Sequence, residues 1–115
     1  MISLLLASML LAAGDGRAEV TAYCDTRPGI MASGKHVYAG ACAGPRSVPL
    51  GTIVLIAGKR YVVEDRTAWW VEGRYDIWRP WSKAKCLRWG KRWLPVRVLR
   101  KGRGRCLSRE TSYQR

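Results

Sequence analysis

Two β-prone runs, Thr52-Ile53-Val54-Leu55-Ile56 and Arg60-Tyr61-Val62-Val63-Glu64, lie on either side of Ala57-Gly58-Lys59. Both are rich in β-branched and aromatic residues, which fit a pleated, half-buried surface better than a helix. The linker is short and carries a glycine, so the segment predicts a hairpin with a three-residue turn in which Gly58 takes a positive φ. No other stretch limits the fold as tightly. With a hairpin at its centre, the chain must build the rest of its core from further strands that can reach it.

The flanking sequence offers four more. Val20–Cys24, Val37–Ala41 and Arg74–Trp78 are brief β-prone runs, and Trp93–Leu99 alternates Leu94, Val96 and Val98 with Trp93, Pro95 and Arg97. Residues 25–36 contain Pro28, Gly29 and Gly34 and predict a loop, Gly44-Pro45 a turn, and residues 66–73 a connection. Between Ser82 and Gly90 the pattern changes: Ser82 can cap a first helical turn and Gly90 can end the last, giving about two turns of helix. There is no internal repeat. Six short strands, one short helix and six Trp with no Phe predict a compact all-β barrel whose bulk comes from Trp.

A chain of 115 residues has room for one domain. Its start is unlike the remainder. Ile2 to Ala13 is almost unbroken apolar sequence, followed by Gly14, Gly16 and the small Ala18. That run falls short of the roughly 20 residues a spanning helix needs, and fits the core of a signal peptide over 1–18, although no Lys or Arg precedes it. The expected organisation is therefore leader 1–18, barrel 19–99 and a basic, solvated tail 100–115. Export to the periplasm, the outer membrane or the outside of the cell follows from the leader.

Cys24, Cys42, Cys86 and Cys106 all come after it. An even number of cysteines in a small exported chain predicts disulfides, each worth about 2–4 kcal/mol. Zinc usually takes ligands in close pairs, and no two of these cysteines are close in sequence. Three pairings are possible, and 24–42 with 86–106 is preferred. No metal cluster stands out, and no cofactor or stable protein partner is expected.

The formal charge is +13, from 21 Lys and Arg against 8 Asp and Glu, and loss of 1–18 would leave it unchanged because Arg17 and Asp15 leave together. Such a surface attracts polyanions. Nucleic acid is one class; an anionic cell wall or membrane face is the other, and export favours it.

Few side chains can do chemistry. His36, the single histidine, sits in a loop with Gly34 and Ser33 and without a nucleophile-elbow pattern, so a solvated histidine is expected. Among the carboxylates Asp76 stands apart, flanked by Tyr75, Ile77 and Trp78. An aspartate in such a strand is either ion-paired or held dry with a raised pKa, as a general acid for glycoside cleavage requires. Asp65 ends the second hairpin strand and can share a site with it if the two strands lie side by side, one acid protonated and the other ionised. Trp69, Trp70, Tyr75 and Trp78 could stack on sugar rings; core packing is the competing role for each.

Val20-Thr21-Ala22-Tyr23, Ser33-Gly34, Val48-Pro49-Leu50-Gly51-Thr52, Val63-Glu64-Asp65, Tyr75-Asp76-Ile77-Trp78, Ala84 and Trp89-Gly90 follow one another in the order of the three-aspartate (3D) domain. The chain resembles that family over roughly residues 20 to 99. The family is similar to the barrel of membrane-bound lytic transglycosylase A and the wider double-psi β-barrel group. The resemblance implies a six-stranded double-psi barrel with a groove for peptidoglycan glycan strands, Asp76 as catalytic acid and base, and Asp65 lining the same site. The alternative to this enzyme is a non-catalytic, wall-binding double-psi barrel like the expansin- and barwin-type relatives. Two departures accompany it: Gly44 stands where the family's first aspartate usually does, and Arg66-Thr67-Ala68-Trp69-Trp70 replaces a glycine-rich stretch. Arg66, next to Asp65, is expected to hold that carboxylate ionised.

Overall fold

A computed structural model of the protein describes residues 15–27 and 29–104. Six strands, β1 (Asp15–Tyr23), β2 (Ala41–Gly44), β3 (Ile53–Ile56), β4 (Lys59–Arg66), β5 (Arg74–Trp78) and β6 (Arg92–Arg100), form a closed barrel in the order β1-β5-β2-β4-β3-β6. β1 runs parallel to β5 and β2 parallel to β4; the remaining neighbours are antiparallel. Closure leaves no free sheet edge, which suits strands as short as β2 and β3. Among the described residues, no helix is long and apolar enough to cross a membrane.

Alternation turns one face of β3 and β5 inward, while β2 is buried at all four residues and in β6 only Val96 is buried, with Leu94 part-buried and Val98 exposed. Val20, Cys42, Val54, Ile56, Tyr61, Val63, Tyr75, Ile77 and Val96 form the core. The indoles fill little of it. Trp78 is buried and donates through Nε1 to the Asp25 carbonyl at 3.1 Å, but Trp69, Trp70 and Trp93 are exposed. Branched aliphatics and tyrosine carry the core instead.

The helix α1 (Lys83–Trp89) forms where the sequence places it. Ser82 Oγ accepts from the Lys85 N–H at 3.1 Å, and Gly90 ends it with φ 68°. Cys86 is its one buried residue, and Trp89 donates through Nε1 to the Val20 carbonyl at 3.3 Å, holding the helix against β1.

Four local features differ from expectation. The hairpin turn has two residues, because Ile56 pairs with Lys59 and Lys59 begins β4. Ala57 and Gly58 both have positive φ, 49° and 83°, the pattern of a type I′ turn, whose twist matches that of the flanking strands. The second strand covers Ala41–Gly44, not Val37–Ala41, since only those residues lie between β4 and β5 and all four are buried. Residues 15–18 of the expected leader belong to β1, where Asp15, Gly16, Arg17 and Ala18 pair with Arg97, Val96, Pro95 and Leu94. A cut after Ala18 would remove that part of the β1–β6 ladder. Finally, the beginning of the expected solvated tail is docked: the Gly102 N–H donates to Thr52 Oγ1 at 2.9 Å and the Gly104 N–H to the Leu50 carbonyl at 2.9 Å. A Cβ on Gly102 would lie 2.3 Å from the backbone of Gly51 and Thr52, so only glycine allows that approach.

Ala57 bears the cost of the turn, since a residue with a Cβ in the left-handed region loses about 1–2 kcal/mol. Ala57→Asn, which creates the preferred Asn-Gly pair, is expected to stabilise the barrel by about 1 kcal/mol and raise Tm by roughly 4–8 °C, measured by thermal unfolding.

Candidate active site

Asp76 owes its position to the strands beside it. Tyr75 and Ile77 point into the core, so alternation along β5 turns the Asp76 side chain to the opposite face. On one side its partner is Thr21 of β1, whose Oγ1 donates to Asp76 Oδ1 at 2.9 Å. On the other its partner is Ala43 of β2. A methyl group there leaves space over the carboxylate, and a cavity of about 330 Å³ opens, lined by Tyr23, Asp25, Ala43, Asp65, Asp76 and Val71 among others but not by Trp69 or Trp70.

Asp65 is brought to the same cavity, but not beside Asp76. β2 runs between β4 and β5, and Ala43 pairs with both acids, Asp65 on one flank and Asp76 on the other. Their backbones are therefore about 10 Å apart, two strand spacings. Asp65 Oδ1 accepts from the backbone N–H of Ala32 at 3.0 Å and of Arg66 at 2.9 Å, which ties the 29–36 loop to the end of β4. The Arg66 guanidinium forms no ion pair with Asp65, although the Asp65 charge acts on it. Its Nη1 donates to the carbonyls of Pro45 and Val48, so Arg66 fastens the loop after β2.

Burial pushes the Asp76 carboxyl above the usual range. The Thr21 hydroxyl and the Arg74 charge oppose the rise, while Asp65 and Asp25 add to it. Arg74 is engaged across the β1–β5 pair with Glu19, Nε to Oε1 at 2.5 Å, which restrains its pull on Asp76. Tyr23 is the residue that sequence reasoning passed over. Its hydroxyl is buried in this cavity with no hydrogen-bond partner, and burial followed by the charges of Asp65 and Asp76 raises its pKa, so it keeps its proton. The signal for it was the alternation of β1, which puts Thr21 and Tyr23 on one face.

The four candidate aromatics separate into two pairs. Trp69 and Trp70 are 70% and 69% exposed in the loop after β4, edge to face with centroids 5.5 Å apart. Tyr75 and Trp78 are buried and offer no ring face to solvent. Glu64 is 3% exposed, accepts from the Tyr38 hydroxyl and pairs with Lys35 Nζ at 3.3 Å. His36 is exposed and bridges to Ile30 at the mouth of its loop.

No disulfide is formed among the described cysteines, and the 86–106 half of the preferred pairing rests on Cys106, which lies outside the described residues. Cys24, Cys42 and Cys86 carry free thiols. Cys42 belongs to the barrel core, where burial raises its thiol pKa, whereas Cys86 has Cys24 as its neighbour: burial, then a hydrogen bond and charge from Cys24, push the Cys86 thiol up. Among the described residues no group of His, Cys, Asp and Glu could hold a metal ion. Neither family models nor curated proteins provide a match to this chain.

A carboxyl with a folded-state pKa above its unfolded value favours folding at low pH and loses that contribution as pH rises through the folded pKa. Ionised Asp76 therefore weakens the barrel at neutral pH. Asp76→Asn, which retains an oxygen for Thr21, is expected to raise Tm at pH 7. The difference from wild type should close below the ordinary aspartate pKa of about 3.9, as followed by thermal unfolding across pH.

Proposed function

We propose that the protein is an exported, peptidoglycan-cleaving enzyme of the lytic transglycosylase type, with Asp76 as its acid and base. The observation that carries the proposal is a half-buried aspartate with a raised pKa at the floor of an open groove. A carboxyl whose pKa is raised by burial gives up its proton less readily than an exposed aspartate, and in its protonated form it can protonate the glycosidic oxygen as the bond to C1 breaks. The resulting carboxylate then takes the proton of the muramoyl 6-hydroxyl, which attacks the anomeric carbon and closes a 1,6-anhydro ring. One acid serves both steps and no water is consumed. Tyr23 contributes a buried hydroxyl that can donate to a sugar oxygen. Trp69 and Trp70 offer ring surface to glycan units, and the +13 charge holds the enzyme on an anionic wall.

The strand order supports the double-psi form of barrel that the 3D-domain resemblance implies. The β1–β2 connection joins two antiparallel strands with β5 between them, and the β4–β5 connection joins two with β2 between them. Two crossings of this kind are what a pair of interlocked psi loops requires. Asp65 has a positioning role in this scheme, since its contacts are to loop amides.

One observation favours a wall-binding barrel without catalysis. At Gly44, where the family's first aspartate is expected, a Cβ would stand 3.0 Å from Val63 Cγ1 and 3.4 Å from the Tyr75 ring, so this barrel has closed over that position. Digestion of purified peptidoglycan, with products read by mass spectrometry, separates the two. The enzyme releases anhydromuropeptides and Asp76→Asn releases at least roughly a hundred-fold less, as expected for loss of a general acid. A folded wild-type protein that sediments with sacculi and releases nothing is a binding module.

In an oxidising compartment the neighbouring thiols of Cys24 and Cys86 would close a disulfide fastening α1 to the end of β1. A peptide map of the exported protein without reductant is expected to contain a Cys24–Cys86 cross-link, lost on reduction. A map with Cys24 joined to Cys42 would overturn that pairing.

A further inference from the structure

A second concavity lies away from the Asp76 groove. Along β5 and just beyond it, Ile77 and Arg79 face a cavity of about 260 Å³, which they line with Ile56, Lys59, Trp81 and Leu94 among others. None of its lining residues belongs to the Asp76 cavity. Ile56, Ile77 and Leu94 give it an apolar wall.

Arg79 is the anomaly in this wall. Its Nη2 donates to the Tyr61 hydroxyl at 2.7 Å, and its guanidinium carbon stands 5.7 Å from the Tyr61 centroid and 5.4 Å from that of Trp81. Its Nε is buried and has no hydrogen-bond partner. Arg79 takes no part in the Lys35–Glu64 and Arg74–Glu19 ion pairs, and no carboxylate lines the cavity. Lys59 adds a second cation, and Lys85 lies 4.6 Å from the Trp81 centroid. A buried N–H of a charged group without an acceptor is costly, and a guanidinium edge is shaped to take both oxygens of a carboxylate.

We propose that this cavity is a binding site for a small carboxylate-bearing ligand whose apolar body lies against Ile56, Ile77 and Leu94 while its carboxylate pairs with the Arg79 guanidinium. Lys59 supplies further positive charge. The volume sets the size, since sites for drug-sized ligands run from about 300 Å³ upward. A monocarboxylate on a short aliphatic or single-ring body suits the space; a chain of sugars does not. The site stands on its own residues and does not depend on what the Asp76 groove does.

Phenylacetate and its neutral isostere phenylacetamide test the proposal on the full chain, titrated by calorimetry and by the indole N–H signals of the tryptophans. Phenylacetate is expected to bind and to move the Trp81 and Trp89 signals, leaving Trp69 and Trp70 in place. The amide should bind about ten-fold or more weakly, as loss of a charged hydrogen-bonding partner predicts. Arg79→Lys, which retains charge but not the fork, should weaken the acid and leave the amide unchanged. Equal binding of acid and amide, no binding of either to the folded wild-type protein, or shifts confined to Trp69 and Trp70 would overturn it.

Discussion

Strand β5 is five residues long and is held on both sides, parallel by β1 and antiparallel by β2. Because its neighbours are fixed, its alternation is fixed too: Tyr75 and Ile77 must enter the core, and Asp76 must leave it on the opposite face. Burial there is incomplete because Ala43 offers only a methyl group. The carboxylate is dry enough for its pKa to rise and open enough to meet a ligand. A bulkier residue at 43, or a one-residue slip of β5, would remove both properties at once.

The same strand serves a second cavity. Alternation that sends Asp76 to one side carries Ile77 and then Arg79 to the other, where α1 and the β3–β4 turn provide the remaining walls. Each cavity contains a buried polar atom that the protein itself leaves unpartnered, the Tyr23 hydroxyl in one and Arg79 Nε in the other. Buried polar groups are normally satisfied within a fold. Two such orphans, one at the end of β1 and one just past β5, belong to residues that line the two cavities and mark places where an outside group can complete the hydrogen bonding.

Around this centre the charged residues act mostly as fasteners. Asp65 collects two backbone amides, Arg66 two carbonyls and Glu64 a tyrosine and a lysine, so that the loops crossing the barrel end are anchored by side chains. Arg74 and Glu19 clip β5 to β1 beside the groove. Exposed basic residues include Lys83, Lys85 and Arg88 of α1 and Arg92, Arg97 and Arg100 of β6, and they contribute to a surface that attracts polyanions.

The sequence by itself determined the elements that local chemistry controls. The β-branched runs of the hairpin, the Ser82 cap with its Gly90 stop, and the apolar neighbours of Asp76 each have a physical reason within a few residues, and each is found in place. An all-β barrel was legible for the same reason. Tertiary structure decided what depends on partners distant in the chain. It inserted β2 between the two acids, so that Asp65 and Asp76 share a cavity without being adjacent. It drew Asp15–Ala18 into the β1–β6 ladder, placed Cys86 rather than Cys42 beside Cys24, and buried Tyr75 and Trp78 while leaving Trp69 and Trp70 outside. Strand order and register come from closing the barrel around one core. That closure is a property of the whole chain, and no local stretch of sequence contains it.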